Sequence, residues 1–209
     1  MKFLILFFNL FLSSVLGYIL HITPNQYKDL KFLNNRCIYS NEELKDNNLC
    51  FEHIIPTIHS MADRDLHNIF YCTEFLQKNR NEFRFSEFKF NQKISDDELL
   101  KLNHIKKKIF RTKFTEHKNE FCYTNPKKKL FYPFSNISKG IISRTVAYMY
   151  MNYPEVPTDI LDYDLMLKWN YENPITKDEI IRNEKIFSLQ GNRNRFIDDF
   201  TQMYKRFSL

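Results

Sequence analysis

Close cysteine pairs are missing from this chain of 209 residues. Cys37, Cys50, Cys72 and Cys122 never come within two to four residues of each other, the spacing of common zinc sites, so metal capture by thiolates is the weaker use for them. Glycine is almost absent too: three residues, where average usage of about 7% would give about fifteen. With abundant Lys, Asn, Ile and Phe, this scarcity reads as the coding bias of an AT-rich genome and carries no functional message. Beyond the first seventeen residues no apolar run is long enough for a bilayer span of about 20 residues, which predicts a soluble mature chain with no stable membrane association. Internal repeats, low-complexity linkers and composition breaks are also missing, so one domain is expected. His59, His104 and His117 show no ligand spacing.

What is present begins with a leader. Lys2 is followed by an apolar run from Phe3 to Leu12, broken only by Asn9, and then by Ser13-Ser14-Val15-Leu16-Gly17. A basic start, a short apolar stretch and small residues at its end are the parts of a secretory signal peptide. Residues 1–17 are therefore expected to be cleaved after Gly17, leaving a secreted domain over 18–209. All four cysteines lie in that domain, and an even count in an oxidising compartment predicts two disulfides, with three pairings open. Asn136-Ile137-Ser138 is a glycosylation sequon if the host glycosylates. Net charge is +6, a modest excess that fits a polyanionic partner without requiring one.

Three helices can be placed from capping and periodicity. Ser95-Asp96-Asp97-Glu98 is a capping box, followed by Leu99, Leu102 and Ile105 on one face and the basic end Lys106-Lys107-Lys108. A second helix, apolar on most sides and so core-bound, runs from about Lys139 to Tyr153 and is stopped by Pro154. The third opens on Thr176-Lys177-Asp178-Glu179, carries Ile180, Ile181, Phe187 and Leu189, and ends near Gly191. Strands are predicted over Leu49–Ile55 and Phe83–Phe90, which makes the domain α+β.

Three polar clusters carry the chemistry. The first is Cys50-Phe51-Glu52-His53-Ile54-Ile55-Pro56, where a carboxylate can hold a hard cation and an imidazole can take a proton from water. Adjacent side chains on a straight strand face opposite ways, so a strand end is needed to bring both into one site. Alone, such a pair is more often a surface feature. The second runs from Asp63-Arg64-Asp65-Leu66-His67-Asn68 into Glu74 through Asn81, offering amide oxygens to a cation and arginines to phosphate. Its bland reading is a polar loop and a short amphipathic helix. The third, Gln190-Gly191-Asn192-Arg193-Asn194 with Phe196-Ile197-Asp198, has the composition of a hydrogen-bonded turn.

In this order the clusters resemble the endonuclease I family of secreted nucleases. The resemblance rests on Glu52-His53 with Pro56, Asp65-Leu66-His67-Asn68, Arg80, Lys139-Gly140, Arg144 and Tyr148-Met149-Tyr150-Met151. Arg182-Asn183, Gln190 through Asn194 and Phe196-Ile197-Asp198 complete it. It covers nearly all of the chain after residue 49. It implies a single mixed domain with a ββα-metal (His-Me finger) core, His53 as general base and Glu52 as a metal ligand. Two departures stand out. Counted without gaps, the family's metal-binding Asn falls on Gln77, whose extra methylene moves the amide oxygen by about 1.5 Å; Asn81, one helical turn on, is the alternative ligand. The insertion that carries a transition-state Arg in some members is missing, which leaves Arg64 and Arg80 to neutralise the phosphate. Arg195 also stands where Pro is frequent.

The expected activity is hydrolysis of phosphodiester bonds in DNA, and in RNA, by a monomer with little base readout, using Mg²⁺ with Ca²⁺ or Mn²⁺ as alternatives. A rival reading is a secreted relative that has lost catalysis and binds nucleic acid or serves as a structural protein; Gln77 is its best argument. A secreted effector binding a host protein is a third. His67 and Asn68 are expected to hold the loop, Arg182, Gln190 and Arg193 to form a structural network, and Trp169 to fill the core. Lys106 to Lys108 and Lys127 to Lys129 read as solvated faces, or as phosphate contacts indifferent to sequence.

Overall fold

The computed structural model describes residues 35–44, 49–56, 61–87, 122–125 and 128–208. The leader 1–17, the helix expected from Ser95, the end of the Phe83–Phe90 strand, Lys106 to Lys108, Lys127, His59, His104 and His117 lie outside these residues.

Among the described residues a hairpin is the first sheet element. Strand β1 (Leu49–His53) pairs antiparallel with β2 (Ile69–Thr73), placing Cys50 opposite Cys72, Phe51 opposite Tyr71 and Glu52 opposite Phe70. Thr73 ends β2 and caps the next helix, α1 (Glu74–Arg80), its side chain accepting from the Leu76 N–H. Helix α1 packs on both strands, which completes a strand–strand–helix finger. A second sheet has the order β3 (Arg84–Phe85), β5 (Leu130–Pro133), β4 (Cys122–Asn125), with β3 parallel and β4 antiparallel to β5.

A helical layer follows. Helix α2 (Asn136–Asn152) begins a turn earlier than its apolar pattern suggests, because Ser135 caps it by accepting from the Ser138 N–H. Most of its girth is buried, as expected. Helix α3 (Tyr163–Glu172) packs closely on α2; Asp162 caps it through bonds from the Asp164 and Leu165 N–H groups. Helix α4 (Lys177–Gln190) has the anticipated capping box of Thr176 and Glu179, and ends at Gly191 with φ +79°, a left-handed position that suits glycine. Short helices α5 (Arg195–Asp198) and α6 (Gln202–Phe207) close the chain. Arg195 is the first residue of α5, a position where proline is well tolerated, so the exchange of Pro for Arg there is benign.

The core is one cluster, with Ile54, Ile55, Leu76, Phe85, Phe131, Met149 and Trp169 among its buried members. The domain is single and mixed α+β. Among the described residues no helix is long and apolar enough to cross a membrane.

Candidate active site

Strand β1 stops at His53, and the next two residues are pinned from outside the strand. Asn68 accepts from the Ile55 N–H at 2.9 Å and donates to the Ile55 carbonyl at 3.0 Å and the Ala62 carbonyl at 3.2 Å. An aspartate there could accept but not donate. Arg80 donates to the Ile54 carbonyl at 3.3 Å. The strand exit is therefore rigid, and His53, half-buried, turns its ring to the loop. Its Nε2 lies 3.0 Å from the Asp63 carbonyl oxygen. A carbonyl only accepts, so Nε2 carries the proton and the Nδ1 lone pair is free to take one. Arg64, exposed at the end of the 3-10 turn Met61–Arg64, is the residue after that carbonyl.

One peptide back, Glu52 points into the finger and is 5% exposed. Tyr39, from the segment before the hairpin, donates to Glu52 Oε1 at 2.6 Å. Burial pushes the Glu52 carboxyl up to about 7, against the opposing effects of the Tyr39 bond, the Arg80 charge and a bond from Gln77. Burial and the charge of Glu52 hold the Tyr39 phenol well above its ordinary range, so it remains a donor. The Gln77 amide also donates to the Phe51 carbonyl. Its N–H groups thus face the strand, and only a half-turn of the amide would bring its oxygen to the Glu52 side.

The other expected residues separate. Arg80 is 0% exposed, stacked 4.4 Å over the Phe85 ring and bonded to the Asn81 carbonyl at 2.9 Å. Burial lowers its pKa against the opposing influence of Tyr39, Glu52 and Glu82, which makes it a buried counter-charge to Glu52 with no face toward a phosphate. Arg64 is thus the better placed of the two arginines. Asn81 does not share the helix face of Gln77: α1 ends at Arg80, and Asn81 is exposed with φ +46° and ψ −134°. All four cysteines are free thiols in this structure, where two disulfides were expected. Among the described residues no group of three or more His, Cys, Asp or Glu side chains could hold a metal ion.

The residue that opens the Asp65-Leu66-His67-Asn68 motif ties the loop to the helices. Asp65 is buried and accepts from Tyr148 at 2.8 Å, Tyr153 at 2.6 Å and Gln190 at 2.7 Å, and from the His67 N–H at 2.8 Å. Arg182 donates to the Leu66 and Ile69 carbonyls, each at 2.6 Å, and stacks 4.1 Å over Phe70. Arg193 pairs with Glu184 at 2.6 Å and Asp198 at 2.8 Å. His67 packs against the Tyr148 ring at 4.6 Å. His67 and Asn68 sit in the loop's hydrogen-bond network and Arg182, Gln190 and Arg193 form the structural network around α4, as their bland readings anticipated, and Trp169 is wholly buried.

His67 supports a pH prediction. Burial lowers its pKa from 6.5 to about 4, outweighing the pull of Asp65. The folded state therefore binds fewer protons than the unfolded one between those values. Stability from this residue is full above pH 6.5 and is lost as pH falls toward 4, by about 3 kcal/mol at 1.36 kcal/mol per unit. Urea midpoints of wild type and His67→Asn, followed between pH 7 and 4, should show the wild-type loss and a flatter variant. Parallel curves would assign the acid lability elsewhere.

A strand–strand–helix finger with an oriented imidazole at its first strand's end, beside an inward carboxylate, defines the ββα finger class of nucleases. The sequence model of the Endonuclease I family matches residues 17–200. The chain belongs to that family, and nuclease is its family's activity.

Proposed function

We propose that this protein is a secreted, metal-dependent endonuclease that hydrolyses DNA and RNA with little sequence preference, acting as a monomer. The observation that carries the reading is the His53 ring, held through Nε2 by the Asp63 carbonyl with Nδ1 left as base. Nδ1 takes the proton of a water that attacks phosphorus. Glu52 would hold a divalent ion such as Mg²⁺, which supplies positive charge against the phosphoryl and leaving oxygens, and Gln77 would add its oxygen by a half-turn of the amide whose N–H groups face Phe51 and Glu52. The donor set fits: one carboxylate and one amide leave the remaining positions to water and phosphate, as Mg²⁺ prefers, whereas an enclosed zinc site needs four protein donors. Tyr39 holds the carboxylate by its hydrogen bond, Arg80 supplies a buried counter-charge, and Arg64 meets the phosphate charge. These contacts engage the nucleic-acid backbone, which carries no direct sequence information.

Purified protein incubated with plasmid and with RNA should cleave both in Mg²⁺ and neither in EDTA. Binding without cleavage in Mg²⁺ would leave the rival reading, a catalytically silent nucleic-acid-binding relative, in possession. The ligand set has its own test. Gln77→Ala should raise the Mg²⁺ needed for half activity by on the order of tenfold or more, since even indirect changes at metal sites cost about 10–100-fold. Asn81→Ala should leave that requirement unchanged, because Asn81 is exposed past the helix end. The opposite ranking would move the site to Asn81.

A further inference from the structure

Three of the four cysteines meet in the finger. Cys37 precedes Tyr39 by two residues, in a segment whose Ile38 N–H donates to the Tyr71 carbonyl at 2.9 Å. Its Sγ lies 3.7 Å from the Sγ of Cys72 on β2, and both residues are buried. Cys50 faces Cys72 across the hairpin, but its Sγ donates to the Cys72 carbonyl at 3.1 Å. We propose that Cys37 and Cys72 form a disulfide that staples the segment carrying Tyr39 onto β2, with Cys50 left as a thiol.

A disulfide needs its sulfurs at about 2.05 Å, so the pair must close by about 1.6 Å, a movement within reach of side-chain rotation. The two thiols differ in character. Bonds from Cys72 and Ser40 outweigh burial and bring Cys37 down to about 6, while burial holds Cys72 well above the ordinary thiol range. Cys37 opens the exchange as its segment approaches β2 and the contact with Cys72 forms. With glutathione disulfide as oxidant, the Cys37 thiolate attacks one sulfur and expels one glutathione thiolate, which takes up a proton. Cys72 then attacks the Cys37 sulfur of the mixed disulfide, its own proton leaving with the second glutathione. Two protein thiols are oxidised and one small disulfide becomes two thiols. Both sulfurs are reachable while the chain closes, and burial afterwards shields the bond from reductant.

The test is peptide mapping of the full chain, refolded from urea in mixed oxidised and reduced glutathione, alkylated without reduction and cut with trypsin. Cleavage after Arg36, Lys45, Arg64 and Lys78 puts Cys37, Cys50 and Cys72 on separate peptides. The expected product joins residues 37–45 to 65–78, with Cys50 alkylated. A link between 46–64 and 65–78, glutathione adducts on Cys37 and Cys72, or alkylation of both overturns the pairing. Melting gives a second readout. A bond between residues 35 apart should raise the melting temperature by on the order of 10 °C over the reduced protein. That gain should vanish in Cys37→Ser and persist in Cys50→Ser; its survival in Cys37→Ser overturns the proposal. Neither readout depends on nuclease activity.

Discussion

His53→Ala is expected to lower plasmid cleavage at saturating Mg²⁺ by at least about 10²-fold, the lower end of what a positioned general base contributes. The fold should survive. The ring bonds to the Asp63 carbonyl, and the residues that fix the strand exit are others: Asn68 on Ile55 and Arg80 on Ile54. The melting temperature should therefore stay close to wild type while the initial rate collapses. His53→Gln sharpens the result, because glutamine can restore a donor to the Asp63 carbonyl but supplies no base. If the loss comes from a misplaced loop, Gln recovers activity; if it comes from the missing base, Gln remains as poor as Ala. Cleavage near the wild-type rate in the alanine variant would remove His53 from the mechanism and leave the finger without a base.

Local chemistry makes part of this architecture legible in the sequence. The Thr176–Glu179 box and Gly191 bracket α4 because caps act on their own backbone, and the order of polar clusters carried the family. Other features depend on partners far along the chain. Strand β2, Ile69–Thr73, is a short apolar run between polar flanks and reads as loop until β1 pairs with it. Helix α4 inverts its apparent amphipathicity: Ile180, Ile181, Phe187 and Leu189 are 44–53% exposed, while Glu179, Arg182 and Asn183 are buried. Each buried polar group there has a partner on another element, so hydrogen bonding decides which face turns inward and apolar spacing misleads. The site shows the same division. Glu52 and His53 stand out by adjacency, but the support from Tyr39 lies 13 residues upstream and leaves no local trace. Arg80 looked like a phosphate ligand by composition; burial makes it a counter-charge instead.

The largest stability effect should come from that inward polar layer, at Arg144. Its guanidinium is 1% exposed and grips Glu179 with two parallel bonds of 2.8 Å, Nε to Oε1 and Nη2 to Oε2. Nη1 donates to Asn170 Oδ1 and to the Asn173 carbonyl, both at 3.0 Å, so α2, α3 and α4 converge on one side chain. Gly140 makes room for it: a Cβ there would lie 2.7 Å from Nη2 and 2.9 Å from the Asn173 carbonyl oxygen. Arg144→Met keeps the chain's bulk but leaves the Glu179 carboxylate buried without its cation, which should cost about 3–5 kcal/mol in urea unfolding. Adding Glu179→Met removes the stranded charge, and the double variant should be more stable than the single, short of wild type because the α4 capping box is lost with it. The consequence reaches the loop beside His53. Helix α2 carries Tyr148 and α4 carries Gln190, and both donate to Asp65, two residues past the carbonyl that orients the imidazole. A single-variant loss under about 1 kcal/mol would show the ion pair to be replaceable by packing, as some buried pairs are; in that case the spacing of α2 and α4 rests on their apolar contacts, and the double variant should fall below the single by the lost capping box.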